Sequence, residues 1–123
     1  MYTIEFYEES NGESDVWEFL EALRQKASTN KDARIQYKQA VFYIQLLQEN
    51  GTRLPENVTK HLGDGIWELR PGNNRVLYTF FDNNTFVLRH QFRKKSQKTP
   101  RREIEKAKSE RDNYISRKEA EQS

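Results

Sequence analysis

The spacing of apolar residues changes once along the chain, and this change limits the folds that the sequence can adopt. Between residues 14 and 50 the apolar side chains recur three or four positions apart, which is typical of amphipathic helices. From Leu54-Pro55 onward the spacing becomes two, which is typical of strands with one buried face. Helices followed by a run of strands predict an α+β fold.

Two helices are predicted in the first half of the chain. The first covers about residues 14–27, with Ser14 or Asp15 as its N-cap, and the second ends at Asn50-Gly51, a typical C-terminal pair. We expect an antiparallel hairpin that covers one face of a small, mainly antiparallel β-sheet. The apolar stripes are Val16, Phe19, Leu20 and Leu23 in the first helix, and Ala33, Tyr37, Ala40, Val41, Ile44 and Leu47 in the second.

Five strands and one further helix complete the predicted fold. The strands are expected at 2–7, 58–62, 66–70, 75–81 and 85–93, where turns rich in Gly, Asn and Pro separate the last four. A basic C-terminal helix is expected over about residues 100–116, with Thr99 as its N-cap, Pro100 in its first position and a frayed tail at 117–123. A length of 123 residues fits a single domain, 1–123.

The turn at residues 71–74 sets the register of the central hairpin. It places Arg70 opposite Arg75, and alternation then assigns the neighbouring residues to two faces. The apolar face is expected to lie under the two helices, and it consists of Trp67, Leu69, Val76, Tyr78 and Phe80. The other face is expected to be open to solvent, and it consists of Glu68, Arg70, Arg75, Leu77 and Thr79.

The next turn allows two registers. A three-residue loop, with Asn84 in the left-handed conformation, places Phe86, Leu88, His90 and Phe92 in the core and Arg89 and Gln91 on the arginine face. A two-residue Asn83-Asn84 loop exchanges these sets. The apolar count favours the first register, although Phe92, near the strand end, can still turn toward the open face.

Charge is distributed unevenly and cysteine is absent. Residues 1–51 carry a net charge of −4 and residues 89–123 carry +6. Clustered Lys and Arg favour a polyanionic partner, although a solvated helix face has the same composition. Without cysteine there are no disulfides or thiolate metal sites, which predicts a cytoplasmic protein, and the absence of a long apolar run predicts a chain that does not cross a membrane.

The paired arginines give the first functional hypothesis. Guanidinium groups bind phosphate oxygens in a bidentate manner, and Lys94, Lys95 and Lys98 add positive charge nearby, so we expect an anion site for phosphate. The alternative is a surface Arg-Glu-Arg cluster around Glu68 with little energetic weight. Two histidines and no acidic cluster at ligand spacing predict no metal site.

Several motifs, in order, are very similar to those of the HigB branch of the RelE/ParE toxin superfamily. The matching segments are Lys60-His61-Leu62, Gly65-Ile66-Trp67-Glu68-Leu69-Arg70, Arg75-Val76-Leu77-Tyr78, and Phe92 to Pro100 with Glu103. The resemblance implies a RelE-like fold and an mRNA interferase, the toxin of a type II toxin-antitoxin pair. Such an enzyme cuts mRNA on the ribosome without metal or cofactor, because the 2′-hydroxyl attacks the adjacent phosphate.

The resemblance also implies roles for individual residues. Arg70 and Arg75 would clamp the scissile phosphate, Lys95 would assist proton transfer, and Glu68 would act as a base or, as we prefer, orient the arginines. The remaining expected RNA contacts are Lys60, His61, Arg89, Phe92, Lys94 and Lys98. Of these, Phe92 would stack on a base or belong to the core.

The implied partners are the ribosome, mRNA and a helix-turn-helix antitoxin similar to HigA. Operator DNA would be bound only through the antitoxin complex. The antitoxin would either cover the arginines or block entry to the ribosome by its bulk. Two other functions share the fold: a ParE-like inhibitor of DNA gyrase, and a non-catalytic basic module that helps the antitoxin bind its operator.

Overall fold

The predicted α+β class is confirmed by the structure, a computed structural model that describes residues 1–122. Three helices pack on one five-stranded mixed sheet. In chain order the elements are β1 (Thr3–Phe6), α1 (Asp15–Lys26), α2 (Lys31–Asn50), β2 (Thr59–Gly63), β3 (Ile66–Leu69), β4 (Asn74–Asp82), β5 (Thr85–Arg93) and α3 (Arg101–Gln122). No helix in this part of the chain is both long and apolar enough to cross a membrane.

Local side-chain chemistry fixes the limits of α1 and α2. Ser14 is the N-cap of α1 and its hydroxyl accepts a hydrogen bond from the backbone N–H of Trp17. Asn30 caps α2 in the same way. Gly51 ends α2 with a φ of 63°, a conformation that glycine adopts without strain. The predicted boundaries of both helices therefore hold to within a few residues.

The sheet has the order β1-β5-β4-β3-β2, in which β1 runs parallel to β5 and every other pair is antiparallel. Trp67 pairs with Tyr78 and Leu69 with Val76, as the turn at 71–74 predicts. One side of the sheet, the α1–α2 face, packs against Val16 and Leu47. Its fully or almost fully buried residues are Leu69, Val76, Tyr78, Phe86 and Leu88.

The expectation that the second face is open is wrong, because α3 covers it. This α3 face contains Ile66 and Leu77, which pack against Ala107 of α3, and Val87, which packs against Tyr114. The apolar stripe of α3 buries only a few residues and ends at Tyr114, but the helix itself continues further than predicted. The helix runs to Gln122, six residues beyond the predicted end at 116, and Arg117 donates a hydrogen bond to the carbonyl of Glu8.

The last hairpin follows the favoured register only as far as Leu88. Phe80 pairs with Phe86 and Tyr78 with Leu88, as the three-residue loop requires. The turn itself closes with Asp82 opposite Thr85 and a bulge at the preceding residue. Asn84 does not adopt the left-handed conformation, since Asp64 is the only non-glycine residue within 1–122 with a positive φ.

A second bulge, at Arg89, changes the faces of the end of β5. Leu77 pairs with His90, so one residue of β5 has no partner on β4. His90 and Phe92 therefore lie on the α3 face and not in the α1–α2 core, and Gln91 lies on the α1–α2 face. This bulge brings Phe92 opposite Arg75, next to the residues that the sequence analysis singled out.

Candidate nucleic-acid interface

Glu68 lies at the centre of a buried charge cluster on the α3 face. Its side chain is 1% exposed, and Oε2 lies 3.1 Å from Nε of Arg70 and 3.9 Å from Nε of Arg75. Neither N–H forms a hydrogen bond with this oxygen. The cluster therefore brings together the three residues that the sequence analysis grouped, but Glu68 and Arg75 are buried and only Arg70 is partly exposed.

Arg75 combines a structural contact with an available edge. Nη1 donates hydrogen bonds to the carbonyls of Gly72 at 2.8 Å and Asn74 at 2.9 Å, and the side chain is 8% exposed. Burial lowers the pKa of Arg75, the charge of Glu68 partly offsets this, and Arg70 adds to the lowering. Nη2 forms no hydrogen bond within residues 1–122, so this edge of the guanidinium remains for an anion.

The segment 94–99, which we call the basic loop, closes over the charge cluster. At its start the backbone N–H of Lys94 donates to the carbonyl of Asn73 at 2.8 Å. At its end the hydroxyl of Thr99 donates to Oε1 of Glu68. The carbonyl of Pro100 accepts from the N–H groups of Glu103 and Ile104, so Pro100 and not Thr99 is in the N-cap position, and α3 begins at Arg101.

Two cavities lie on either side of the basic loop. The larger, of about 310 Å³, is lined by Arg75, Phe92, Lys94, Lys95 and Glu103. The smaller, of about 210 Å³, is lined by Lys60, His61, Glu68 and Arg70. Lys98 lines both cavities. Because Arg70 and Arg75 open into different cavities, the expected clamp of two arginines on one phosphate is not formed in this arrangement.

The other predicted contact residues divide between the same two cavities. In the larger cavity Lys95 is exposed and Phe92 is half-buried against the α3 face. In the smaller cavity the ring of His61 lies 4.7 Å from that of Trp67, and Nζ of Lys60 lies 3.5 Å from a carboxylate oxygen of Glu56. Lysine and aromatic side chains on one surface are the groups that bind phosphates and bases.

Arg89 is a wrong prediction as an RNA contact. The residue is 0% exposed, and its guanidinium donates to the hydroxyl of Thr79 and lies 4.8 Å from the ring centre of Tyr114. Burial lowers its pKa to about 10, and the charge of Glu110 partly offsets this effect. Arg89 is therefore an internal packing residue that a nucleic acid cannot reach.

His90 forms the contact that the sequence analysis missed. Its Nδ1 lies 2.6 Å from Oε1 of Glu110 and its Nε2 lies 3.0 Å from Oε1 of Glu103. A signal was present, since Glu103, Ala107, Glu110 and Tyr114 recur on one side of α3 and so place two acids in its buried stripe. No group of three or more acidic, histidine or cysteine side chains within residues 1–122 has metal-site geometry.

The fold and these cavities define a small α+β protein with a basic surface suited to phosphate groups. Residues 18–112 match the model of the phage-derived protein Gp49-like family (DUF891), and the chain belongs to this family. The family is RelE-like and toxin-like, which implies a cognate antitoxin as partner. No curated protein matches the chain.

Proposed function

We propose that this protein is the toxin of a type II toxin-antitoxin pair and an endoribonuclease that cleaves mRNA on the ribosome. The observation that carries the proposal is the larger cavity, where the available edge of Arg75 meets three lysines and the ring of Phe92. A phosphate with an adjacent base is the ligand whose chemistry matches these groups. Membership of a toxin-like family supports the proposal independently of the cavity.

Arg75 acts on the scissile phosphate. When the 2′-hydroxyl attacks, the phosphorane gains negative charge, and a guanidinium already held by two backbone carbonyls meets that charge without reorganising. Arg70 holds Glu68 from the side of the smaller cavity. Lys94, Lys95 and Lys98 bind flanking phosphates, Lys95 being placed to assist proton transfer, and Phe92 stacks on a base.

The smaller cavity extends the RNA path. Lys60 and His61 lie beside Lys98, which also borders the larger cavity, so one strand can contact both. Few groups hold the RNA in line, and the ribosome supplies the missing alignment of the 2′-oxygen, the phosphorus and the leaving oxygen. No metal or cofactor takes part in this scheme.

The resemblance to HigB gives the partner its expected form. A helix-turn-helix antitoxin similar to HigA binds the toxin, and operator DNA is contacted only through that complex. The α1–α2 side and the α3 side are different surfaces of the sheet, so the antitoxin can block the ribosome from either one.

Mapping of mRNA 5′ ends after induction of the chain without an antitoxin tests the proposal. We expect discrete cuts within translated codons, in wild type but not in Arg75→Ala, while plasmid supercoiling stays normal. Intact mRNA with altered supercoiling would instead establish a gyrase inhibitor. Normal growth on induction would overturn the toxin assignment and favour the module that assists operator binding.

A further inference from the structure

A buried histidine between two glutamates lies beneath the larger cavity. The imidazole of His90 is 1% exposed, and its two nitrogens contact Glu103 and Glu110, seven residues apart on α3. The ring also lies near Phe92, which lines the same cavity. The three residues connect the interior of the α3 face with the cavity wall.

The hydrogen bonds in this triad fix the number of protons. An ionised carboxylate only accepts, and a neutral imidazole has one N–H. Two contacts between acceptors and the imidazole therefore require two protons among the three groups. With both glutamates as acceptors, His90 donates from both of its ring nitrogens.

Glu103 is the member of the triad that reaches the cavity. It stands in the first turn of α3, and it lines the cavity together with Arg75 and Phe92. Its Oε1 accepts from His90, while Oε2 forms no hydrogen bond within residues 1–122 and lies 4.0 Å from Nε of Arg102. Oε2 is thus a fixed carboxylate oxygen that is available to a ligand of the cavity.

We propose that Glu103 is the general base of the reaction and that His90 and Glu110 are positioning residues. This inference rests on the proposed function. Oε2 of Glu103 takes the proton of the 2′-hydroxyl as the O2′–P bond forms and the P–O5′ bond breaks. The electron pair of the broken bond stays on O5′, which takes a proton from solvent water.

Glu68 is a poorer candidate for this role. Its Oε1 accepts from Thr99, its Oε2 is buried between two arginines, and the basic loop separates it from the larger cavity. Glu103 has one oxygen held in place and the other available, which is the geometry that proton transfer needs.

Single-turnover cleavage of mRNA on programmed ribosomes by the purified chain tests the inference. Glu103→Gln keeps an oxygen acceptor for His90, and we expect its rate to fall by about 10²-fold or more. Glu103→Asp keeps the carboxylate, so its rate should lie between those of wild type and Glu103→Gln. The control is Glu105→Gln, an exposed position on the same helix, which should cleave at the wild-type rate.

The two proposals fail in different ways. Absence of cleavage by wild type would overturn the proposed function together with the base assignment. Cleavage by wild type and by Glu103→Gln at equal rates would overturn the base assignment alone. A substrate with sulfur in place of the bridging 5′-oxygen has a leaving group that needs no general acid. If the Glu103→Gln variant cleaves this substrate at the wild-type rate, Glu103 is the general acid. That result would overturn the base assignment.

The positioning role of His90 has its own readout. His90→Gln should lower the single-turnover rate about tenfold or more while the half-saturating protein concentration stays within about twofold. A merely structural role predicts weaker binding and a lower melting temperature in proportion to the loss of rate. That result would overturn the assignment of His90.

Discussion

At the scale of single residues, Arg75 is the side chain on which the proposed chemistry depends. Two of its N–H groups are bound to backbone carbonyls, so its available edge is fixed in direction. We expect Arg75→Ala to lower single-turnover cleavage by roughly 10²-fold or more, as the loss of a transition-state donor does. Arg53→Ala, at an exposed position outside both cavities, is the control, and equal rates for both variants would contradict the assignment.

Arg89 should affect stability and not RNA. Because its folded-state pKa lies below the ordinary value for arginine, the charged form costs stability at every pH below about 10, and this cost is relieved only above that pH. The stacking on Tyr114 and the filled volume offset the cost. We expect Arg89→Ala to lower the free energy of unfolding by about 3 kcal/mol, and Arg89→Met, which refills the volume, by less.

Urea denaturation of the two Arg89 variants measures this difference. The folded fraction of each should cleave RNA at the wild-type rate, because the residue does not reach either cavity. Stability within about 0.5 kcal/mol of wild type for Arg89→Ala would contradict the packing role.

At the scale of elements, one hydrogen bond from a side chain fixes the end of the basic loop. The bond from Thr99 to Glu68 satisfies a carboxylate oxygen that is buried beneath the loop. Thr99→Val keeps the shape and removes the donor, so we expect a loss of about 1–3 kcal/mol in unfolding free energy. Faster amide exchange confined to residues 94–99 should accompany this loss.

Ser96→Ala is the matched control for the basic loop. Its hydroxyl donates to the carbonyl of Lys98 at an exposed site, so its removal should leave stability nearly unchanged. Equal exchange in the Thr99→Val and Ser96→Ala variants would show that the bond to Glu68 does not hold the loop.

The lysines of the same loop should determine the salt dependence of RNA binding. Each cation that neutralises a phosphate of single-stranded RNA contributes about 0.7 to the slope of log K against log salt concentration. Replacing Lys94, Lys95 and Lys98 together by Gln should therefore reduce the slope by about 2. Fluorescence anisotropy with a labelled oligonucleotide at several salt concentrations measures it, and an unchanged slope would place the RNA elsewhere.

Elements differ in how far the sequence predicts them. The register of β3 and β4 follows from the turn at 71–74, and the helix caps follow from Ser14, Asn30 and Gly51, because each of these signals is local. The bulge at Arg89 has no local signal such as glycine, and it sends His90 to the opposite face from the predicted one. The sequence therefore singled out most of the residues that line the two cavities but not their arrangement.

At the scale of the whole molecule, the charge asymmetry of the sequence lies mostly outside the helices. α1 and α2 together carry five acidic and five basic side chains, whereas residues 5–13 carry four glutamates and residues 89–98 carry five Lys and Arg side chains and no acid. That α3 covers the second face was not predicted, because its apolar stripe is short and contains Glu103 and Glu110. Those two acids belong to the triad around His90.

The most direct measurement uses purified protein and one defined mRNA, either free or bound to programmed ribosomes, with analysis of the product ends. We expect cuts on ribosomes only, with a 5′-hydroxyl on one product and a 2′,3′-cyclic phosphate on the other. Intact mRNA on ribosomes, for a protein whose induction in cells arrests growth, would contradict an RNA-cleaving role for the larger cavity.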